Sequence, residues 1–299
     1  MYSMTTHIPV MQKEVLEFLN LKPGNCVVDC TLGTGGHSSE ILRKIGPKGY
    51  VIGIDRDADS LAVAKERLKG FNGCCNFVQQ DFRHIDTVLQ ELGVREVDAI
   101  LFDLGISSFQ LDNPERGFSI RLDGPLDMRM DKNSYISASD ILNSLSEEEI
   151  SSILRNFGQE RWHNRIARFL VKQREKTPIE STSDLSSSVL RAIPGHQKRQ
   201  RIHPATRTFQ ALRIAVNREL EALEIALDKC IDFLKKDGRI CVISFHSLED
   251  KIVKEKFRYF AKEKKLKILT KKPLQPKDAE VYSNPRSRSA RLRAAERIK

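Results

Sequence analysis

Asp29, Asp55 and Asp103 each stand at the end of an apolar run, and a glycine-rich loop follows the first of them. Val28-Asp29-Cys30-Thr31-Leu32-Gly33-Thr34-Gly35-Gly36-His37 reads as a strand, a loop and a helix start. Glycines there let a ligand approach the backbone, and the N–H groups of the helix start face it. Gly33 and Gly35 match two glycines of the dinucleotide fingerprint, but Ser38 stands at the third position. A tight turn without a ligand is the competing reading of this loop. Asp55 closes the run Tyr50–Ile54, where a carboxylate accepts the ribose hydroxyls of a nucleoside. Such a cluster of acids suits a cationic sulfonium better than a pyrophosphate. It turns the choice from NAD toward S-adenosylmethionine. Phe82, after Asp81, either packs on an adenine face or is a core aromatic. Asp103-Leu104-Gly105-Ile106-Ser107-Ser108 follows the fourth run, at the edge where a transferred group meets its acceptor. Asp103 either acts there or caps a loop. DNA amino-methyltransferases carry Pro-Pro and an aromatic after their acid or amide; the prolines are missing here, which speaks against a DNA adenine enzyme.

These residues need a frame. Strand signals at Cys26–Leu32, Tyr50–Ile54, Asn76–Gln80 and Val97–Phe102 alternate with helical ones at His37–Ile45, Ala58–Leu68 and Ile85–Leu92. That alternation predicts a parallel, doubly wound α/β sheet, the frame that presents ligands at strand ends. From Gly105 to about Thr206 no convincing strand appears. Helical segments are predicted around Ser137–Leu145, Glu147–Asn156, Glu160–Gln173 and Ser183–Ala192, with Ser146 and Glu149 as a capping box. The sheet pattern then resumes. Apolar residues from Leu212 to Leu234 predict one long amphipathic helix within Ala205–Lys236, with Lys235, Lys236 and Gly238 at its end. Strands are expected at Arg239–Phe245, Leu266–Thr270 and near Arg291–Arg297. A helix is expected over Ser247–Phe260, with Ser247 and Asp250 as its cap.

The chain has 299 residues, a length that suggests about two domains. Its 40% hydrophobic content supports a normal core. No apolar run approaches the ~20 residues of a membrane span, and no secretory signal is visible. The six cysteines form no Cys-x-x-Cys pair. They read as reduced thiols of a cytoplasmic protein, and no metal site is legible. The net charge of +10 is segregated. Residues 155–218 hold 14 Lys+Arg against 4 Asp+Glu, and residues 262–299 hold 13 against 4. Two basic regions on an acidic body point to a polyanion, with nucleic acid the usual one; solvated helical faces are the alternative.

The motifs are more specific than this composition. They comprise His7-Ile8-Pro9-Val10, Gly33-Thr34-Gly35-Gly36-His37-Ser38, Asp103 to Ser108 with Gln110-Leu111-Asp112, and Arg116-Gly117-Phe118-Ser119. Asp123-Gly124-Pro125-Leu126-Asp127-Met128-Arg129-Met130-Asp131, Pro204 to Ile214, Ser244 to Asp250 and Asn284 to Arg293 complete them. On these residues the chain resembles, nearly end to end, the MraW family of ribosomal RNA small subunit methyltransferases. The resemblance implies a Rossmann-like class I S-adenosylmethionine-dependent methyltransferase fold with an inserted all-helical domain. Its expected limits are 1–105 and 205–299 for the methyltransferase domain and 106–204 for the helical substrate-recognition domain. It implies methylation of N4 of a cytidine in the decoding centre of 16S rRNA. It also implies cofactor contacts at Gly35, Gly36, His37, Asp55, Phe82, Asp103 and Gln110.

Cytosine N4 is a poor nucleophile because its lone pair is delocalised into the ring. A carboxylate or carbonyl accepting its N–H returns density to nitrogen, and Asp103 or the Leu104 carbonyl is placed for that. Asp103 is therefore the candidate catalytic residue, with a purely cofactor-holding role as its alternative. The base must leave its stack to reach the methyl group. Asp127, Arg129, His246 and Ser247 are candidates for the acceptor side, and Arg207 and Arg213 for phosphate contact or simple solvation. The oligomeric state, monomer or homodimer, stays open. An NAD-dependent oxidoreductase and a non-enzymatic RNA-binding protein are the competing classes.

Overall fold

The computed structural model describes residues 9–71, 73–195 and 202–299. They form two compact units, 9–105 with 220–299, and 106–219. His7 and Ile8 of the first motif lie outside the described residues, as do Lys198, Arg199 and Arg201 of the first basic region. No helix among the described residues is long and apolar enough to cross a membrane.

The first unit is built on a seven-stranded sheet: β1 (Cys26–Asp29), β2 (Tyr50–Asp55), β3 (Cys75–Gln79), β4 (Val97–Asp103), β5 (Leu234–Ser244), β6 (Leu266–Ile268) and β7 (Arg291–Arg297). Their order is β3-β2-β1-β4-β5-β7-β6. β1 to β5 pair in parallel, whereas β7 is antiparallel to both of its neighbours. The apolar strands are buried on both faces. In β4, Ala99 and Leu101 enter one core while Ile100 and Phe102 enter the other. Helices Gln12–Leu19, Gly36–Ile45 and Ala58–Leu68 cover the first face, and Ile85–Glu91, Glu219–Cys230 and Ser247–Lys262 the second. Each fully buried Leu, Ile or Phe contributes roughly 1.5–3 kcal/mol. The order in which successive strands are added reverses between β1 and β4, and the crevice beyond that switch point is where such sheets bind ligands. Asp29 and Asp103 end the two strands that flank it.

The start of β5 departs from expectation. Lys235 and Lys236 do not end a helix but lie in the irregular beginning of the strand. The register shifts so that Leu234 pairs with Val97 and Arg239 with Ala99. Lys235 Nζ donates to both carboxylate oxygens of Asp98 at 3.0 Å, and Asp98 Oδ2 accepts the Cys26 N–H at 2.8 Å.

In the second unit, helices Ser108–Leu111, Ala138–Ser144, Glu147–Gly158, His163–Arg174, Thr182–Ala192 and Thr206–Asn217 pack around Leu142, Leu154, Leu170, Leu185, Phe209 and Leu212. Four of them begin with capping boxes, at Ser107, Ser137, Ser146 and Ser181. The predicted single helix over 205–236 is broken. Arg218 turns into the left-handed region at φ 49°. Just before it, the Asn217 carboxamide accepts the Met130 N–H at 2.8 Å and donates to the Met128 carbonyl at 2.8 Å. Periodicity continues through the break because each half is amphipathic on its own. The half Thr206–Asn217 packs on Glu147–Gly158, where Gln210 donates to the Phe157 carbonyl at 3.1 Å. The helical unit therefore ends after Glu219, not at the expected limit of 204.

Candidate active site

The glycine loop is tied down by the carboxylates around it. Asp29 is buried; its Oδ2 accepts the Ser38 hydroxyl at 2.7 Å and its Oδ1 the Thr31 N–H at 3.2 Å. Burial raises its pKa above the usual carboxylate range, against the lowering effect of Ser38. Asp55 spans two segments, accepting the Gly33 N–H at 2.7 Å and the Asp57 N–H at 2.9 Å. Burial pushes its pKa up to about 6 despite those donors. Each oxygen still has a lone pair for a ribose hydroxyl. Gly35 caps the following helix at φ 77°, a conformation that disfavours a side chain. An added Cβ there would stand 3.1 Å from Leu68.

Thr31 couples this loop to β4: its hydroxyl accepts the Asp103 N–H at 2.6 Å. On the first turn of the helix, His37 is buried with Nε2 3.5 Å from Asp103 Oδ2. That separation is an ion-pair contact, too long for a good hydrogen bond. Burial pulls the imidazole pKa down, but Asp103 and Asp29 outweigh it and raise the value above the ordinary one. His37 Nε2 and Asp103 Oδ1 are both buried without a hydrogen-bond partner among the described residues. Unmet buried polar atoms cost roughly 1–3 kcal/mol each, which a ligand relieves. A cationic amino acid bearing a nucleoside fits this set of donors and acids.

Phe82 follows β3 and lies edge-on to Phe102, with centroids 5.6 Å apart. The Arg56 guanidinium sits 5.7 Å from its ring centroid and bonds Asp81 at 2.9 Å, as does Arg83. Gly35, Gly36, His37, Asp55, Phe82 and Asp103 thus belong to one unit. Gln110 belongs to the helical unit, where it is buried in the Ser107 capping box; its Oε1 accepts the Ser107 N–H at 3.0 Å. Thr31, Ser38 and Arg56 were not legible as site residues. Ser38 had a signal, since it stands where the fingerprint wants glycine and uses its hydroxyl on Asp29.

The acceptor-side candidates have structural work. Arg129 grips Asp127 through Nε at 2.9 Å and Nη2 at 2.7 Å. Arg213 pairs in the same two-pronged way with Glu219, at 2.9 and 2.8 Å. Arg207 donates to the Gln159 carbonyl at 3.2 Å. The helix Ser247–Lys262 is capped by His246 with Glu249, not by Ser247 with Asp250. Asp250 instead accepts Arg293 Nε at 2.7 Å.

The family model of the MraW methylases matches residues 4–298. The chain is 48% identical to the ribosomal RNA small subunit methyltransferase H of Halothermothrix orenii, with 99% of each chain covered. Its identity to the protein of the same name from Geotalea uraniireducens is 50%, with 98% of each covered. Sheet order, glycine loop and strand-end acids agree with an S-adenosylmethionine-dependent methyltransferase. With the match running over almost its entire length, the chain belongs to the MraW methylase family.

Proposed function

We propose that this protein methylates N4 of a cytidine in the decoding centre of 16S rRNA, within the small ribosomal subunit and in the cytoplasm. Bound S-adenosylmethionine supplies a methyl group on a sulfonium leaving group, so the protein mainly positions and stabilises charge. The backbone at Gly35, Gly36 and His37 holds the amino-acid end of the cofactor. Asp55 holds the ribose and Phe82 borders the adenine; Gln110 is the further cofactor contact that the family resemblance implies. Asp103 accepts the N–H of the cytosine amino group and returns electron density to nitrogen. His37 keeps the carboxylate charge compensated while the base is out of its stack.

The observation that carries the reading is Asp103, half-buried at the strand edge, whose Oδ1 is buried and unmet while Oδ2 lies beside His37. The relatives from Halothermothrix orenii and Geotalea uraniireducens, ribosomal RNA small subunit methyltransferases by name, support ribosomal RNA as substrate. Basic regions in both units agree with a polyanionic partner. The test is transfer of tritiated methyl to 30S subunits and to free 16S rRNA, followed by mapping of the product. N4-methylcytidine in the decoding centre is expected. Label on another base, or no label on either substrate, overturns the proposal.

A further inference from the structure

The basic segment 262–299 divides into two populations. Beside β6 and β7 its cations are matched: Lys265 and Arg297 with Asp232, Lys267 with Glu296, and Arg291 and Arg293 with Asp250. Between those strands several cations face solvent. Lys271, Lys272, Lys277 and Arg288 are exposed, and Tyr282 is 91% exposed. Ser287 makes this arrangement definite. It is fully buried, and its hydroxyl donates to the Asn284 carbonyl at 2.8 Å, so the arginines on either side project outward. Asp278 is the exposed acid of this stretch. A ring so exposed adds nothing to the core. Exposed aromatics among cations are what single-stranded nucleic acid uses, bases stacking on rings while phosphates meet charge.

Position strengthens the case. Tyr282 lies on the helix Asp278–Ser283, which is held beside the glycine loop. Glu280 Oε1 of that helix accepts the Met11 N–H at 2.6 Å. Pro9, two residues earlier, lies 3.0 Å from where a Cβ on Gly36 would stand. Glu280 is also near enough to act on the charge of His37. The helix that carries Tyr282 is therefore tied, through Met11, to the segment that packs on the loop proposed to hold the methyl donor.

We propose that Tyr282, with Lys277 and Arg288, forms the contact surface for unpaired RNA flanking the target base, Tyr282 stacking on a nucleobase and the cations meeting phosphates. This rests on the reading of RNA as substrate and adds where the strand lies on the sheet unit.

The test titrates a short labelled oligocytidylate onto the full chain with S-adenosylmethionine present. Tyr282→Ala should weaken binding about ten- to hundredfold, the range of one base–aromatic stack. Tyr282→Phe should bind like the parent. Arg288→Ala should reduce the salt dependence by about 0.7 in log–log slope, one phosphate contact. Cofactor affinity, measured by calorimetry, should stay unchanged in all three and reports the fold. Equal RNA affinity for Tyr282→Ala and the parent overturns the surface. So does loss of 30S methylation in Tyr282→Ala without loss of RNA affinity, which would assign the patch to a protein of the subunit. If the parent fails to methylate 30S subunits yet binds the RNA through Tyr282, the substrate reading falls and the surface stands.

Discussion

Two loops dense in motif residues show opposite uses of aspartate. Around the glycine loop, burial raises Asp29 and Asp55, and Asp103 keeps an oxygen without a partner. In the loop Arg116–Asp131 of the helical unit, burial also pulls Asp127 up, yet Arg129 outweighs it and holds the carboxyl below its usual range. The rest of that loop is equally self-contained. Buried Arg116 donates to the Met130 carbonyl at 2.8 Å, and Gly117 turns at φ 69° against the backbone of Pro125 and Asp127. The most specific run of the sequence is thus a staple, while the sparser loop keeps capacity for a ligand. Both are rich in aspartate and glycine; what differs is that both oxygens of Asp127 find partners within the chain, whereas Asp103 Oδ1 does not.

The sharpest way to break this contrast is Asp103→Asn. An amide is isosteric but lacks the charge that draws the cytosine N–H. Methylation of 30S subunits in single turnover should fall about 10²–10⁴-fold at saturating cofactor, with cofactor affinity largely kept. Full recovery of rate at saturation would make Asp103 a cofactor ligand only.

On the other side of the comparison, Gly117→Ala should destabilise the helical unit without touching ligand chemistry. Left-handed strain alone costs about 1–3 kcal/mol. The new Cβ would also stand 2.3 Å from the Pro125 carbonyl oxygen, which is backbone and must shift. Urea denaturation should show the loss; an unchanged midpoint would mean that the loop is not a staple.

Asp55 links ligand capacity to pH. Asp55→Ala should weaken S-adenosylmethionine binding about ten- to hundredfold through lost charge-assisted hydrogen bonds, leaving RNA affinity intact. In the folded chain its pKa is about 6, against roughly 3.9 unfolded. The folded state therefore holds the proton more tightly, and stability without cofactor declines as pH rises from about 4 to 6. The step is at most about 3 kcal/mol and is reduced by the partial exposure of the residue. Asp55→Asn should flatten it in thermal melts compared across that range. Cofactor affinity should run the other way, rising toward pH 6 as the acceptor ionises and then levelling. A flat affinity profile through that window would remove Asp55 from the ribose.

The smallest expected effect is Ser181→Ala, which removes one capping box at the start of Thr182–Ala192. Its Oγ accepts the Asp184 N–H at 3.0 Å, and such caps contribute about 1 kcal/mol. The helical unit should lose that much in denaturant while cofactor titration stays the same.

Much of the sheet was legible because its central strands are apolar on both faces and end in acids and glycines. β1, β2 and β4 carry that pattern within a few residues. Helix Gln12–Leu19 was not predicted, and the break at Arg218 was hidden because its cause is a carboxamide bonding across to residues 128 and 130. Lys235 and Lys236 looked like a helix end because basic residues suit one; Asp98, far away in sequence, holds Lys235 in a strand instead.

By itself the sequence determined what depends on local chemistry: the alternation of strand and helix, the glycine loop, the strand-end carboxylates, the serine caps and the segregated charge. Only tertiary structure decided which charged groups satisfy one another and which stay available. Asp127 and Arg129, Arg213 and Glu219, and Arg293 and Asp250 are matched, whereas Asp103 Oδ1 and His37 Nε2 are buried without partners. Spacing along the chain cannot settle this. Hydrogen bonds and ion pairs act over a few ångströms, and the burial that shifts a pKa arises from segments brought together by folding.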